Sequence, residues 1–315
     1  MKTPHFLGVA AKVVLICLAI CGVCQSLWAQ SEVRFRLVNN LIVISLKSNQ
    51  ERPFDFVLDT GADTTVVDPS IASRLAFVPL DRIRQTTLSS FQTVTLGSLP
   101  SLSVGSVQVD NVAVLIQDLS VLRKIDAHIQ GIAGQNFLSH FNYLIDYRKH
   151  VVRIEVSSEI QDSIDGDHVS IDARGNRMLV VSEAESRGTT GLQLLLDSGA
   201  SSVVLLPRAV QALDLPKQEG GFLSTSSGKV ELHTSRIRLL TVGSQRLHDV
   251  AAALLANEPA ERIGDGMLPT ALFRTLYINN HQNFVVFNPQ VKVISQSRCR
   301  LRHKQRHRSL CKLRG

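Results

Sequence analysis

Displaced by 138 residues, the chain matches itself at four separate places without a gap. Leu41-Ile42-Val43 falls on Leu179-Val180-Val181, and Val57-Leu58-Asp59-Thr60-Gly61-Ala62 falls on Leu195-Leu196-Asp197-Ser198-Gly199-Ala200. The same shift sets Leu102-Ser103-Val104-Gly105-Ser106 on Leu240-Thr241-Val242-Gly243-Ser244 and Asn111-Val112-Ala113 on Asp249-Val250-Ala251. Further on the offset falls, with Phe137-Leu138 meeting Leu272-Phe273 at 135 and Val151-Val152 meeting Val285-Val286 at 134. A duplicated unit folds twice into one shape, so the repeat sets the domain plan before any single motif is read. The expected layout is a first unit over 30–157, a polar, acidic linker over 158–167 that carries Gly166, and a second unit over 168–297.

Inside each unit the apolar runs are short, rich in Val, Ile, Leu and Thr, and several alternate, as in Val33-Arg34-Phe35-Arg36-Leu37 and Val151-Val152-Arg153-Ile154-Glu155-Val156. Short alternating runs broken by Gly, Pro, Asn and Ser predict strands. Two short helices are expected, Gln135 to Phe141 and Pro269 to Leu276, the second with proline in its first turn. The predicted class is all-β, mainly β with short helices, built as two homologous β-barrel-like lobes. Of 315 residues, 44% are hydrophobic and 19% charged. That balance excludes disorder, collagen and a polytopic membrane protein, and the length provides core for two medium domains.

The charge is unevenly placed. Residues 296–315 hold eight Lys/Arg and no acid, and the remainder carries 26 basic against 27 acidic residues, so the formal +7 belongs to a tail, set at 298–315. At the other end, Lys2 and Lys12 accompany an apolar or small run from Val13 to Val23, with Ala29 before a cut. Residues 1–29 therefore read as a signal peptide, and the expected location is the periplasm or the exterior; the segment retained uncut as a membrane anchor is the alternative. Cys17, Cys21 and Cys24 would leave with the signal, and Cys299 and Cys311 remain in the tail, where an oxidising compartment can pair them. The body carries no cysteine, which removes thiol nucleophiles and zinc fingers from consideration.

Each unit sets Asp-(Thr/Ser)-Gly-Ala directly after an apolar strand: Phe56-Val57-Leu58 leads into Asp59, and Leu194-Leu195-Leu196 into Asp197. A carboxylate at the end of a buried strand is costly unless hydrogen-bonded. Gly61 and Gly199 allow a tight turn that brings a backbone N–H to that carboxylate, and the hydroxyls of Thr60 and Ser198 can donate across to the opposite turn. Two carboxylates brought together by two such turns cannot easily both ionise, so they share a proton and titrate as a unit. The charged member can take a proton from water while the protonated member polarises a carbonyl. That is amide hydrolysis without a covalent intermediate, a metal or another cofactor.

Val57-Leu58-Asp59-Thr60-Gly61-Ala62-Asp63-Thr64-Thr65-Val66 resembles the active-site segment of the retropepsin-like aspartic peptidases, of bacterial type and within the pepsin/retropepsin clan, and Leu195 to Ser201 resembles its partner. The resemblance covers nearly the whole body and implies the bilobal acid-protease fold. It implies Asp59 and Asp197 as the catalytic pair, Thr60, Gly61, Ser198 and Gly199 as turn support, and Ala62, Asp63, Ala200 and Ser201 as the residues nearest the substrate. Ile132-Ala133-Gly134 matches the family's segment that supports the catalytic turn; Met267-Leu268-Pro269 stands in its place in the second unit, with proline where glycine is expected. Flaps are expected near Thr86 to Leu96 and Gly220 to Val230, where Ser89-Ser90-Phe91 and Ser224 to Gly228 provide mobile segments.

The implied function is an aspartic endopeptidase acting on peptide or protein substrates, with no dimer needed because one chain supplies both aspartates. Alanine at 62 and 200 provides no hydroxyl to the ionised pair, which implies a weakly acidic to near-neutral working range. Two alternatives stay open: a catalytically silent peptide-binding module of the same fold, and the peptidase tethered to a membrane by an uncut signal. The basic tail is expected to contact anionic surfaces if it contacts anything.

Overall fold

The structure is a computed structural model and describes residues 32–48, 51–86, 91–155, 159–225, 228–259 and 264–291. The signal segment, the basic tail with Cys299 and Cys311, and residues Ser89, Ser90, Ser226 and Ser227 lie outside the described residues. No helix among the described residues is long and apolar enough to cross a membrane.

The two units fold the same way. In the first, the strands run in the sheet order Arg36–Val38, Leu41–Leu46, Phe54–Leu58, Ile129–Ala133, Thr65–Val67, Val107–Ile116, Phe91–Val104, Val78–Thr86. From the second strand on, the second unit repeats this order with Arg177–Glu185, Thr189–Asp197, Gly266–Pro269, Val203–Leu205, Gln245–Leu255, Gly228–Val242 and Gln218–Thr225. The repeat reaches the backbone itself. Gly105 and Gly243 take φ of 57° and 53° at matching two-residue hairpin turns, and Asn111 and Asp249 take φ of 54° and 53° four residues beyond Val107 and Gln245, where the strands leaving those turns begin. Glycine meets the left-handed requirement without a Cβ penalty, and Asn and Asp tolerate it better than other residues.

Six consecutive strands of a 13-stranded sheet join the lobes, in the order Glu32–Arg34, Val151–Ile154, Tyr143–Asp146, Thr275–Asn279, Phe284–Phe287, His168–Arg174, three from each unit, and the last of them continues into the second lobe by pairing with Arg177–Glu185. At the middle of these six, Tyr143 faces Ile278 and Leu144 faces Tyr277 in antiparallel register. Because Tyr143 and Tyr277 are themselves repeat partners at offset 134, the local two-fold axis passes through the centre of this pairing. Both tyrosines are fully buried, and the core runs continuously from Phe35 and Ile42 in one lobe through Ile145 and Leu276 to Leu196 and Leu240 in the other. At about 25 cal/mol per Å² of apolar burial, this continuous core is the main force holding the lobes together.

Three expectations need correction. The first helix stops at Leu138 instead of Phe141. The second shrinks to the 3-10 turn Thr270–Leu272, and from Thr275 the chain is a strand of the joining sheet, because Leu276 and Ile278 are needed in the core. The linker is not a plain loop: Glu159–Ser163 is helical, and Ile164–Asp165 pairs with Gln290–Val291. Ile160 and Ile164 cover Leu144, Tyr277, Phe284 and Val286, while the Tyr277 hydroxyl donates to Glu155 at 2.7 Å, so this segment is strapped across one face of the joining sheet.

Candidate active site

Phe54–Leu58 and Thr189–Asp197 are strands whose last residues, Phe56–Leu58 and Leu194–Leu196, are buried where they lead into the two Asp-(Thr/Ser)-Gly-Ala turns. Each is flanked in parallel by a support strand: Leu58 lies beside Ala133, and Leu196 beside Leu268. The Asp59 amide donates to the Ala133 carbonyl at 3.0 Å, which anchors the turn to its support.

Each aspartate accepts two bonds from its own turn. Asp59 Oδ1 accepts from the Gly61 amide at 2.9 Å and the Ala62 amide at 3.1 Å; Asp197 Oδ1 accepts from Gly199 at 2.7 Å and Ala200 at 3.1 Å. The turns are locked to each other by four reciprocal bonds. The Thr60 hydroxyl donates to the Leu196 carbonyl at 2.8 Å, and the Ser198 hydroxyl donates to Leu58 at 2.7 Å. Each hydroxyl oxygen also accepts from the opposite amide, Ser198 N–H to Thr60 and Thr60 N–H to Ser198, both at 2.9 Å. Both side chains are buried and use their donor and an acceptor, so neither carries an unpaired group.

This locking sets the two carboxyls against each other. A Cβ on Gly61 would lie 2.5 Å from Asp197 Cγ, and one on Gly199 would lie 2.7 Å from Asp59 Cγ, so glycine here is demanded by the approach of the opposite carboxylate. Each carboxyl therefore lies directly against the other aspartate's turn. Burial raises both pKa values, and Asp197 stands well above the ordinary carboxylate range because the charge of Asp59 adds to the cost of desolvation. At Asp59 burial and the nearby charge of Asp63 push upward against the amide donors of Gly61 and Ala62. Two carboxyls this close do not readily both ionise, so the arrangement favours one proton shared by the pair; Asp197 is buried and Asp59 is partly open to solvent.

Sequence reading separated Asp63 from its partner. Arg177, at the start of a second-lobe strand, binds the Asp63 carboxylate with Nη2 at 2.9 Å and Nε at 3.1 and 3.2 Å to its two oxygens, and Asn176 donates to the Asp63 carbonyl at 3.0 Å. Nothing in the spacing of Arg177 marks it, since its repeat counterpart is Asn39. Ser201, the counterpart of Asp63, is exposed and uncharged. Asn136 was also missed: its Oδ1 accepts from both the amide and hydroxyl of Thr65, at 2.7 and 2.8 Å, tying the support helix to the strand beyond the Asp59 turn.

The two support segments differ as their sequences do. A Cβ on Gly134 would lie 2.7 Å from the Thr64 carbonyl carbon, and this close packing lets the Gln135 amide reach the Ala62 carbonyl at 2.8 Å. Pro269 takes the matching place opposite Asp197 with φ of −64°, which the proline ring favours, and the buried Thr270 that follows meets the Tyr147 hydroxyl at 2.5 Å. Of the expected flap ranges, Thr86 and Phe91–Leu96 lie on the paired strands Val78–Thr86 and Phe91–Val104, and Gly220–Thr225 and Gly228–Val230 on the paired strands Gln218–Thr225 and Gly228–Val242. Among the described residues, no group of three or more His, Cys, Asp or Glu is gathered as metal ligands would be.

Two duplicated β-lobes that each contribute one aspartate turn to a single interlocked pair define the bilobal acid-protease class. The family model for aspartyl protease matches residues 44–137 and 182–271, one stretch in each lobe, and the chain belongs to this retropepsin-like family. The two matched stretches start 138 residues apart and end 134 apart, which is the drift seen in the repeat itself. Comparison with curated proteins returned no match.

Proposed function

We propose that the protein is an exported, single-chain aspartic endopeptidase with Asp59 and Asp197 as its catalytic pair. The observation that carries this reading is the pair of facing aspartate turns, held to each other by four reciprocal bonds across the lobes. A water between the carboxyls gives a proton to Asp59 as its oxygen attacks the scissile carbonyl carbon, and Asp197 gives its proton to the carbonyl oxygen. The resulting gem-diol returns a proton to Asp197 as the C–N bond breaks, and Asp59 passes its proton to the leaving nitrogen. The pair ends as it began, with products of one carboxylic acid and one amine.

Both aspartates come from one chain, so activity does not require a dimer. Export is supported by the apolar run Val13 to Val23 and by a body without cysteine; contact of the basic tail with anionic surfaces is supported by its eight Lys/Arg. The test is cleavage of a mixed peptide library from pH 3 to 8, read by mass spectrometry, for the parent, Asp59→Asn and Asp197→Asn. Cleavage that disappears in both variants is expected. Peptide binding without products at every pH would establish the silent module instead.

A further inference from the structure

Ile83 and Val94 stand directly opposite each other in the first lobe's hairpin, and Gly221 and Leu232 stand directly opposite each other in the second. Both members are displaced by 138, so the pairs occupy the same position in the two lobes. In the first lobe, Ile83 packs together with Ala62 of the Asp59 turn on the cluster that contains Val66, Val94 and Ile132. In the second, Leu232 packs on the matching cluster with Val204 and Met267, but Gly221 contributes no side chain.

Neither the backbone nor crowding demands glycine at 221. A Cβ there would meet nothing within 4 Å and the residue has no left-handed φ, whereas a Cβ on neighbouring Gly220 would lie 1.9 Å from the Leu232 carbonyl oxygen. Glycine at 220 is thus a packing requirement, and glycine at 221 leaves open the space that Ile83 fills in the other lobe. A groove of about 460 Å³ runs along this hairpin, where Gly221, Phe222 and Leu232 share the lining with Lys217, Glu219, Glu231 and His233.

Resting on the peptidase reading above, we propose that Gly221 and Ile83 set the side-chain preference on the two sides of the scissile bond. The half of the cleft beside the second-lobe hairpin takes a bulky apolar side chain, which occupies the space beside Leu232 that Gly221 leaves open. The half beside the first-lobe hairpin, already filled by Ile83, takes a small one. The substrate class is an extended peptide with a large apolar residue on one side of the cut and a small residue on the other.

The test is to sequence the cleavage sites made in a mixed peptide library by the parent, Gly221→Ile, Ile83→Ala and the double variant, after thermal melts establish that each is folded. Expected for the parent is size asymmetry about the cut. Gly221→Ile should lower cleavage at bulky sites relative to small ones by about tenfold or more, the scale at which a pocket discriminates a few carbons. Ile83→Ala should broaden acceptance on the opposite side, and the double variant should reverse the asymmetry. A parent profile symmetric about the cut, or variants that slow every site equally, would overturn the proposal. A parent that cuts no peptide at all would overturn the peptidase reading itself, and this inference with it.

Discussion

Arg177 of the second lobe grips Asp63 of the first, with Nη2 at 2.9 Å and Nε within 3.2 Å of both carboxylate oxygens. The bond crosses between lobes on one side of the aspartate pair alone, because the repeat counterparts Ser201 and Asn39 carry no charge. The side chain of Asp63 is 41% exposed and that of Arg177 is 19% exposed, so the pair is partly screened by solvent. Arg177→Ala should lower stability by about 1 kcal/mol, with a double cycle against Asp63→Asn isolating the shared part. The pH–rate profile provides the independent readout. Loss of Arg177 leaves the charge of Asp63 unopposed and moves the acidic limb upward, since that charge already raises Asp59; Asp63→Asn should move it downward. Limbs that shift in the same direction in both variants would refute the electrostatic account.

The exchange between Thr60 and Ser198 leads to a second expectation. Thr60→Ala removes a donor to Leu196 and an acceptor for the Ser198 amide, leaving two buried groups unpaired at a cost of roughly 1–3 kcal/mol each. Thr60→Ser keeps both bonds and should recover most of that loss. The Thr60→Ala/Ser198→Ala double variant should fall short of the summed single losses, because the two hydroxyls serve one network. Denaturant titrations of the four proteins decide the matter, and full additivity would show that the bonds act separately.

Protonation of the carboxyl pair makes stability depend on pH with a definite sign. Both folded pKa values lie above those of an unfolded aspartate, so between these values the folded state binds more protons than the unfolded one. The favourable contribution is complete below the ordinary carboxylate pKa and is lost as pH rises through the raised values. Asp197→Asn removes the group with the larger shift and should raise the melting temperature at pH 7 relative to the parent while leaving little difference near pH 3. The same raised values move the window of the singly protonated pair upward, toward weakly acidic to neutral activity. A rate maximum near pH 3 would contradict it.

Gly61→Ala tests the contact distance. Its new methyl would sit 2.5 Å from Asp197 Cγ, so the opposite carboxyl has to move, and the pair loses its geometry. Activity should fall by at least two orders of magnitude, because misplacement of reacting groups by about 1 Å costs on the order of 10²-fold. Far-ultraviolet circular dichroism should remain that of a β protein. An active Gly61→Ala enzyme would mean that the carboxyls are not held at this separation.

Much of the architecture was legible in the chain because duplication writes the same strand pattern twice. The position of each aspartate after an apolar triplet, and of each glycine two residues later, follows from local chemistry: a carboxylate at the end of a buried strand needs nearby amides, and a tight turn delivers them. Gln135–Phe141 and Pro269–Leu276 were less legible, because a four-residue helical turn and the start of a core strand share the same apolar composition, and tertiary burial decides between them. The linker misled for a similar reason. Its charged residues hide Ile160 and Ile164, whose value becomes apparent when the joining sheet presents an apolar face to cover.

The sequence by itself determined two lobes of one design, mainly β, each with a carboxylate on a glycine turn, because periodicity, turn chemistry and repetition are local properties. Tertiary structure alone decided that Arg177 reaches Asp63, that Thr60 and Ser198 exchange bonds, and that each aspartate carboxyl lies against the other's turn. These relationships join residues more than a hundred positions apart. They depend on how two copies of one unit meet about a two-fold axis, where small differences between the copies, such as Arg177 against Asn39 or Gly221 against Ile83, acquire their physical consequences.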